Sequence, residues 1–353
     1  MRSLPEDKKT VISPVSSHYR SFPDVVLTRT GKLICVYREA DTHVASVARL
    51  LLRTSNDFGL TWSEPRELAG ASISQNGYTY NCPRVVQLRD GRILINCDRL
   101  VYPGRTLIHE NEAGHRIELW ESVDDGATWS PGRELPEIPG FVPDRILELP
   151  EGTLLMGTHR PCPAPPHQLE QLVSISRDRG ATWPECHVTA SEEGYHLCEG
   201  SFVSLDPELL ACFYRENSMK NHPTFVNFSD DGAETWTFLE EMPFKGHRPV
   251  AGITRSGKLF ITYRDVELTG EPAPRLLHPG AHAWLGDLEE RDKGSVLVLD
   301  PDDSARPFGD CGYTGWVQRE DGTIFVVNYH KGGGEQPYVK GYWITEGDFT
   351  GPS

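Results

Sequence analysis

Ser55-Asn56-Asp57-Phe58-Gly59-Leu60-Thr61-Trp62 decides the fold, because it returns. The same pattern, Ser-x-Asp-x-Gly-x-Thr-Trp, recurs at 122–129 and 176–183. A fourth copy at 229–236 keeps Ser229, Asp231, Thr235 and Trp236 but carries its glycine one place early, at Gly232. The tryptophans are 67, 54 and 53 residues apart. The residue types suit a hairpin turn: Asp caps backbone amides, Gly supplies positive φ, and Thr-Trp re-enters a strand with the indole beneath the turn. These residues therefore read as structural, on a rim away from any chemistry.

A second periodicity surrounds the first. Short apolar runs follow a turn at Gly31-Lys32-Leu33-Ile34-Cys35-Val36-Tyr37-Arg38, Gly91-Arg92-Ile93-Leu94-Ile95 and Gly152-Thr153-Leu154-Leu155-Met156. They continue from Glu208, Gly257 and Gly322, giving six copies at spacings of 60, 61, 56, 49 and 65 residues. Helical periodicity is weak throughout. Six units of short strands and turns predict an all-β, six-bladed propeller of four-stranded antiparallel blades, one domain over residues 1–353. A single repeat period along the chain disfavours a pair of β-sandwiches.

Composition narrows the function. The 353 residues carry a net charge of −16, which argues against nucleic acid as the main partner. No apolar run approaches the roughly 20 residues of a membrane span. The first residues, with Glu6, Asp7, Lys8 and Lys9, have no apolar signal region. The eight cysteines (35, 82, 97, 162, 186, 198, 212 and 311) form no CxxC pair. Together these predict a cytoplasmic protein with reduced thiols. His43, His159, His247 and His330 show no metal-ligand spacing, so neither a metal nor another cofactor is expected. Nine of the 35 basic residues are Lys, leaving 26 Arg. Arg grips carboxylates with two parallel hydrogen bonds, so a local anion site is compatible with an acidic chain.

In a propeller the innermost strand of each blade lines the axis. Those strands hold Tyr19-Arg20-Ser21-Phe22-Pro23, Tyr80-Asn81-Cys82-Pro83-Arg84, Phe141-Val142-Pro143-Asp144-Arg145, Leu197-Cys198-Glu199-Gly200-Ser201, Gly246-His247-Arg248-Pro249 and Cys311-Gly312-Tyr313-Thr314-Gly315. A channel so rich in ionisable groups points to chemistry rather than to filling. With its Asp-box turns and six-fold count, the whole chain resembles the sialidase (neuraminidase) superfamily. The resemblance implies a Tyr–Glu pair with Tyr as nucleophile, an Asp acid/base and three arginines on the substrate carboxylate. Carried over residue by residue, Tyr313 matches the nucleophile and Glu199 its partner. Arg20, Arg215 (16 residues after Glu199) and Arg248 match the arginines. Asp41 is the acid/base candidate, with Asp24, Asp144 and His43 competing. Arg20 stands three residues before Pro23, where the family has its arginine two before. Arg84 and Asp144 lie outside the minimal set and read as further substrate contacts or a mutual ion pair. Arg38, Arg215 and Arg264 each lie seven residues after their turn position, a periodicity that suggests a structural arginine.

Three functions fit this reading. One is retaining exo-hydrolysis of a terminal sialic acid, with a sialoglycan or other carboxylated sugar as partner. A second is hydrolysis or elimination on another acidic sugar. The third is a glycan-binding propeller without catalysis. The sequence does not specify the oligomeric state.

Overall fold

The computed structural model describes residues 1–101, 114–270, 276–302, 311–332 and 334–350. Six antiparallel sheets follow one another along the chain. Blade 1 is Tyr19–Leu27, Leu33–Ala40, Val47–Ser55 and Arg66–Ser72. Blades 3 and 4 run from Leu147–Glu148 to Glu185–Ala190 and from Leu197–Ser204 to Glu240–Glu241. Blade 2 splits its inner strand into Thr79–Tyr80 and Arg84–Gln87, both paired to Ile93–Leu100. Blade 5 gains a fifth strand, because Arg2–Ser3 pairs in parallel with Ser295–Pro301. Blade 6 takes its outer strand from the other end of the chain: Lys9–Ser13 pairs antiparallel with Tyr338–Ile344 and closes the ring.

The second strands are buried on both faces, which is why they read as apolar runs rather than alternating ones. All eight residues of Leu33–Ala40 are buried. Between blades 1 and 2, Ile34, Val36, Leu50 and Leu52 pack on Val85, Ile93, Ile95 and Trp120. Comparable apolar clusters lie between each following pair of blades and between blades 6 and 1. Burial of apolar area between sheets, at roughly 25 cal/mol per Å², is thus the main force holding each blade to the next.

The repeated turns have the predicted chemistry. In the first, the Ser55 hydroxyl donates to Asp57 Oδ1 at 2.7 Å and accepts from Gly59 N at 2.8 Å. Thr61 N donates to the same Asp57 Oδ1 at 2.8 Å, and Trp62 Nε1 donates to Gly59 O at 3.1 Å. Phe58 (φ 54°) and Gly59 (φ 93°) are both left-handed. The fourth copy keeps this backbone despite its displaced glycine: Gly232 and Ala233 both have φ 78°, so an alanine holds the place glycine takes elsewhere. These turns join third to fourth strands, at the end of the ring where the inner strands finish. A cavity of about 1080 Å³ opens at that end, against Arg29, Arg89, Arg145 and Trp316. The candidate chemistry lies at the opposite end. Among the described residues no helix is long and apolar enough to cross a membrane.

Candidate active site

The inner strands of blades 1, 4 and 5 are each interrupted by a bulge, between Ser21 and Asp24, Cys198 and Ser201, and His247 and Val250. At each bulge one non-glycine residue is left-handed: Phe22 (φ 55°), Glu199 (φ 47°) and Arg248 (φ 52°). Such conformations cost of order 1–3 kcal/mol each and re-aim a side chain, here toward the axis.

Tyr313 precedes the inner strand of blade 6 and meets the blade 4 bulge. Its hydroxyl donates to Glu199 Oε1 at 2.6 Å. Arg215 Nη1 donates to Glu199 Oε2 and to the Tyr313 oxygen, both at 2.8 Å, closing a triangle. Asn217 Oδ1 holds the other arm of Arg215 at 2.6 Å. Burial pushes the Glu199 carboxyl up, but Arg215 and Arg248 more than offset it and hold it at about 2. Burial and the Glu199 charge push the Tyr313 phenol well above its usual range. The resting pair is an ionised Glu199 and a neutral Tyr313.

Arg248 is fully buried and donates through Nη2 to Pro143 O at 3.0 Å, across the axis. Its Nε and Nη1 have no protein partner among the described residues, although its guanidinium lies 5.8 Å from the Tyr313 ring. A buried cation with unused donors is costly and marks a place for an anion or water. Arg264 stands at the same distance from that ring and donates to His247 Nδ1 at 3.2 Å. Burial, with Arg215 and Arg264 beside it, keeps His247 neutral. Arg38 lies 4.4 Å over the Phe22 ring, which lies 4.8 Å from the Tyr313 ring. The periodic arginines therefore do not read as scaffold alone. Position seven of blades 1, 4 and 5 pairs with the residue entering each bulge, so Arg38, Arg215 and Arg264 gather around the same aromatic group.

Two sequence candidates stand elsewhere. Arg20 donates to Glu39 Oε2 at 2.8 Å and to Pro14 O at 2.5 Å, which turns its guanidinium to its own blade rather than to the Tyr313 group. The axial slot of blade 1 belongs to Phe22, because the bulge sets the register. Asp41 is a loop cap: it accepts the N–H groups of Thr42 and Ser46 at 3.0 Å and of Val47 at 3.4 Å.

Arg84 and Asp144 lie deeper on the axis. Arg84 Nη1 donates to Thr314 O at 2.9 Å and approaches Asp24 only to 4.0 Å. Burial and the neighbouring Arg248 push Arg84 down to about 10. Asp144 accepts from Phe202 N at 3.1 Å, and burial raises its carboxyl despite Arg248 and Arg84. The two form no direct ion pair. Asp24 is taken by Arg145, at 3.2 Å through Nε, together with the amides of Val25 and Val85. Arg84, Arg145 and Arg248 each tie one blade to another across the axis, as a floor beneath the triangle.

Sequence reasoning passed over Phe22 and Tyr19, set His43 behind Asp41, and read the periodic Arg38 and Arg264 as structural, although all five gather near Tyr313 or its neighbours. A signal existed. Phe22, Cys82, Val142 and Arg248 each precede a proline, so aligning blades on Pro23, Pro83, Pro143 and Pro249 places Phe22 opposite Arg248.

Residues 99–326 match the BNR repeat-like domain family, well over half of the chain. No curated protein matches it. Among solved structures, a protein of unknown function from Dyadobacter fermentans superposes with a TM-score of 0.79 at 21% identity, covering 97% of this chain and 99% of that one. A Hadza microbial sialidase gives 0.72 at 18%, covering 94% and 66%. The NanB sialidase from Streptococcus pneumoniae gives 0.70 at 13%, covering 97% and 71%. The ring of blades, the Asp-box turns and these matches lead to one conclusion: the chain belongs to the BNR repeat-like family and has the six-bladed sialidase-like fold.

Proposed function

We propose that the chain is a retaining exo-glycosidase that removes a terminal sialic acid, or a closely related carboxylated sugar, from a sialoglycan, with Tyr313 as nucleophile. The observation that carries this reading is the Tyr313–Glu199–Arg215 triangle. The anomeric carbon of such a sugar bears a carboxylate, which repels an anionic nucleophile and favours a neutral phenol. The phenol needs a base at the moment of attack, and Glu199 is placed to take its proton. In the free protein Glu199 is too weak a base, because Arg215 and Arg248 stabilise its charge. A substrate carboxylate seated on those arginines draws off that stabilisation, so Glu199 gains basicity when substrate is present. The unused donors of Arg248 suit this second anion.

The test is turnover of an aryl α-sialoside, with the first-formed product anomer followed by NMR. Release of the α-anomer supports the reading. Inverted product, or no turnover across a panel of sialosides, overturns it. Phe22 in the axial slot of blade 1 favours a second reading, in which the same residues act on a different carboxylated sugar. A panel of uronosides, monitored for release and for a new conjugated double bond, separates hydrolysis from elimination there.

A further inference from the structure

We propose that the chain holds a small inorganic anion, chloride being the abundant one, on the propeller axis between Arg84 and Arg248, in the floor beneath the Tyr313 triangle. Both side chains are buried, at 2% exposure or less. Arg84 spends Nη1 on Thr314 O at 2.9 Å, and Arg248 spends Nη2 on Pro143 O at 3.0 Å. Arg84 Nε and Nη2, and Arg248 Nε and Nη1, have no protein partner among the described residues. A guanidinium has donors only, so a buried one with N–H groups to spare needs an acceptor. The carboxylates nearby are already engaged. Asp24 comes no closer to Arg84 than 4.0 Å and accepts from Arg145, Val25 N and Val85 N. Asp144 accepts from Phe202 N, and Asp98 from Asn81, Cys82 N and Val142 N.

Charge decides between water and an anion. The charged groups along the axis that feel one another's field are Arg38, Arg84, Arg145, Arg215, Arg248 and Arg264 against Asp24, Asp98, Asp144 and Glu199. Six positive charges thus face four negative ones, an excess of two in a region largely out of water. Water satisfies the spare donors but leaves that excess, whereas an anion answers both. A resident anion on the Arg84 side of Arg248 offsets one charge and leaves the Tyr313 side to a substrate carboxylate. The ion has to be small. Gly315, next to Thr314, has no room even for a methyl group, because a Cβ there would lie 2.0 Å from Asp24 Oδ1. Access does not depend on the catalytic pocket. The cavity of about 1080 Å³ at the far end of the ring has the exposed Arg29, Arg89 and Arg255 on its wall and reaches Val85, the residue after Arg84, and Trp316.

Chloride and bromide are the probes, with gluconate, too bulky for the floor, holding ionic strength constant. Replacing gluconate by chloride is expected to raise the Tm of the full chain by about 2 °C or more, saturably. In crystals of the full chain grown with bromide, anomalous scattering should place the ion within hydrogen-bonding reach of Arg84 and Arg248, and added sialic acid should leave it there. Arg84→Met fills a similar volume without charge, and is expected to lose both the chloride response and the bromide peak. Equal Tm in chloride and gluconate, with no bromide at Arg84, means that water alone meets those donors and overturns the assignment. So does an Arg84→Met protein that keeps the full chloride response, or a bromide peak that sialic acid displaces. If Arg84→Met does not fold, the wild-type melts and bromide map decide alone. Neither measurement uses turnover, so an inactive wild type with bromide at Arg84 keeps this site and loses only the glycosidase reading.

Discussion

The Tyr313 hydroxyl donates to Glu199 Oε1 at 2.6 Å, across 114 residues of chain and from two blades separated by a third. Packing of blades 4, 5 and 6 around one axis brings them together. The bond leaves a phenol with a carboxylate already aligned on it and Arg215 donating to both groups.

On the proposed reading, Tyr313→Phe and Glu199→Gln remove the attacking oxygen and its base. Each is expected to lower kcat on an aryl sialoside by on the order of 10²–10⁴-fold while circular dichroism and Tm change little. Because the two act as one unit, the double variant should be little worse than either single one. Independent, multiplying losses would contradict a shared role.

The arginines divide into two groups. On the proposed reading Arg215 and Arg248 hold the substrate carboxylate, so Arg215→Lys and Arg248→Lys, which replace a guanidinium fork by a point charge, are each expected to raise KM about tenfold or more. Arg20→Ala removes bonds to Glu39 and Pro14 instead, so a stability loss of about 1 kcal/mol is expected with kcat/KM unchanged within twofold. Steady-state kinetics beside thermal melts distinguishes the groups. A large kinetic defect in Arg20→Ala would return that residue to the substrate.

Asp57→Ala or Asp124→Ala should lower Tm without changing kcat per folded molecule. Each carboxylate caps a turn at the end of the ring remote from Tyr313, and its own hydrogen bonds hold it at about 2. The folded state thus binds its proton more weakly than the unfolded one, so this support is present above about pH 4 and fades as pH falls toward 2. Melts between pH 7 and 2 should show wild type and variant converging at the acid end.

Asp265 carries the opposite sign. Burial raises it to about 7, with Glu267 N as a partial offset. Its contribution is complete below the unfolded value near 3.9 and is lost as pH rises through about 7. Asp265→Asn should therefore be the more stable protein at pH 8, by at most about 4 kcal/mol, with the advantage vanishing near pH 4. An advantage independent of pH would place the effect in packing rather than ionisation.

Much of the architecture was legible because turn chemistry is demanding. Few residue types satisfy the Ser55–Asp57–Gly59–Thr61 bonding pattern, so its recurrence declared the blades. Glu199 stood out as a carboxylate in an apolar inner strand that needs a partner, and Tyr313 through the family resemblance; the structure hydrogen-bonds the two to each other. Phe22 was not legible, since a bulge changes which residue faces inward, and side-chain direction in a strand reverses with a single-residue slip. That slip sends Arg20 to Glu39. Arg38 and Arg264 were hidden by their regularity, because a repeated arginine looks like scaffold until its position is seen to open onto a bulge. Asp41 had a suitable location and chemistry, but its loop consumes it.

The strand Lys9–Ser13 is made before any of the six blades, yet it supplies the final stave of a barrel-like hoop. Until the ribosome has finished Tyr338–Ile344 it has nowhere to dock, and until it docks that later segment presents an unpaired edge. Order of manufacture and order of assembly are thus reversed. Without residues 1–13 blade 6 would lack its outer strand and blade 5 its fifth, leaving a ring that never locks and an open edge prone to joining its neighbours.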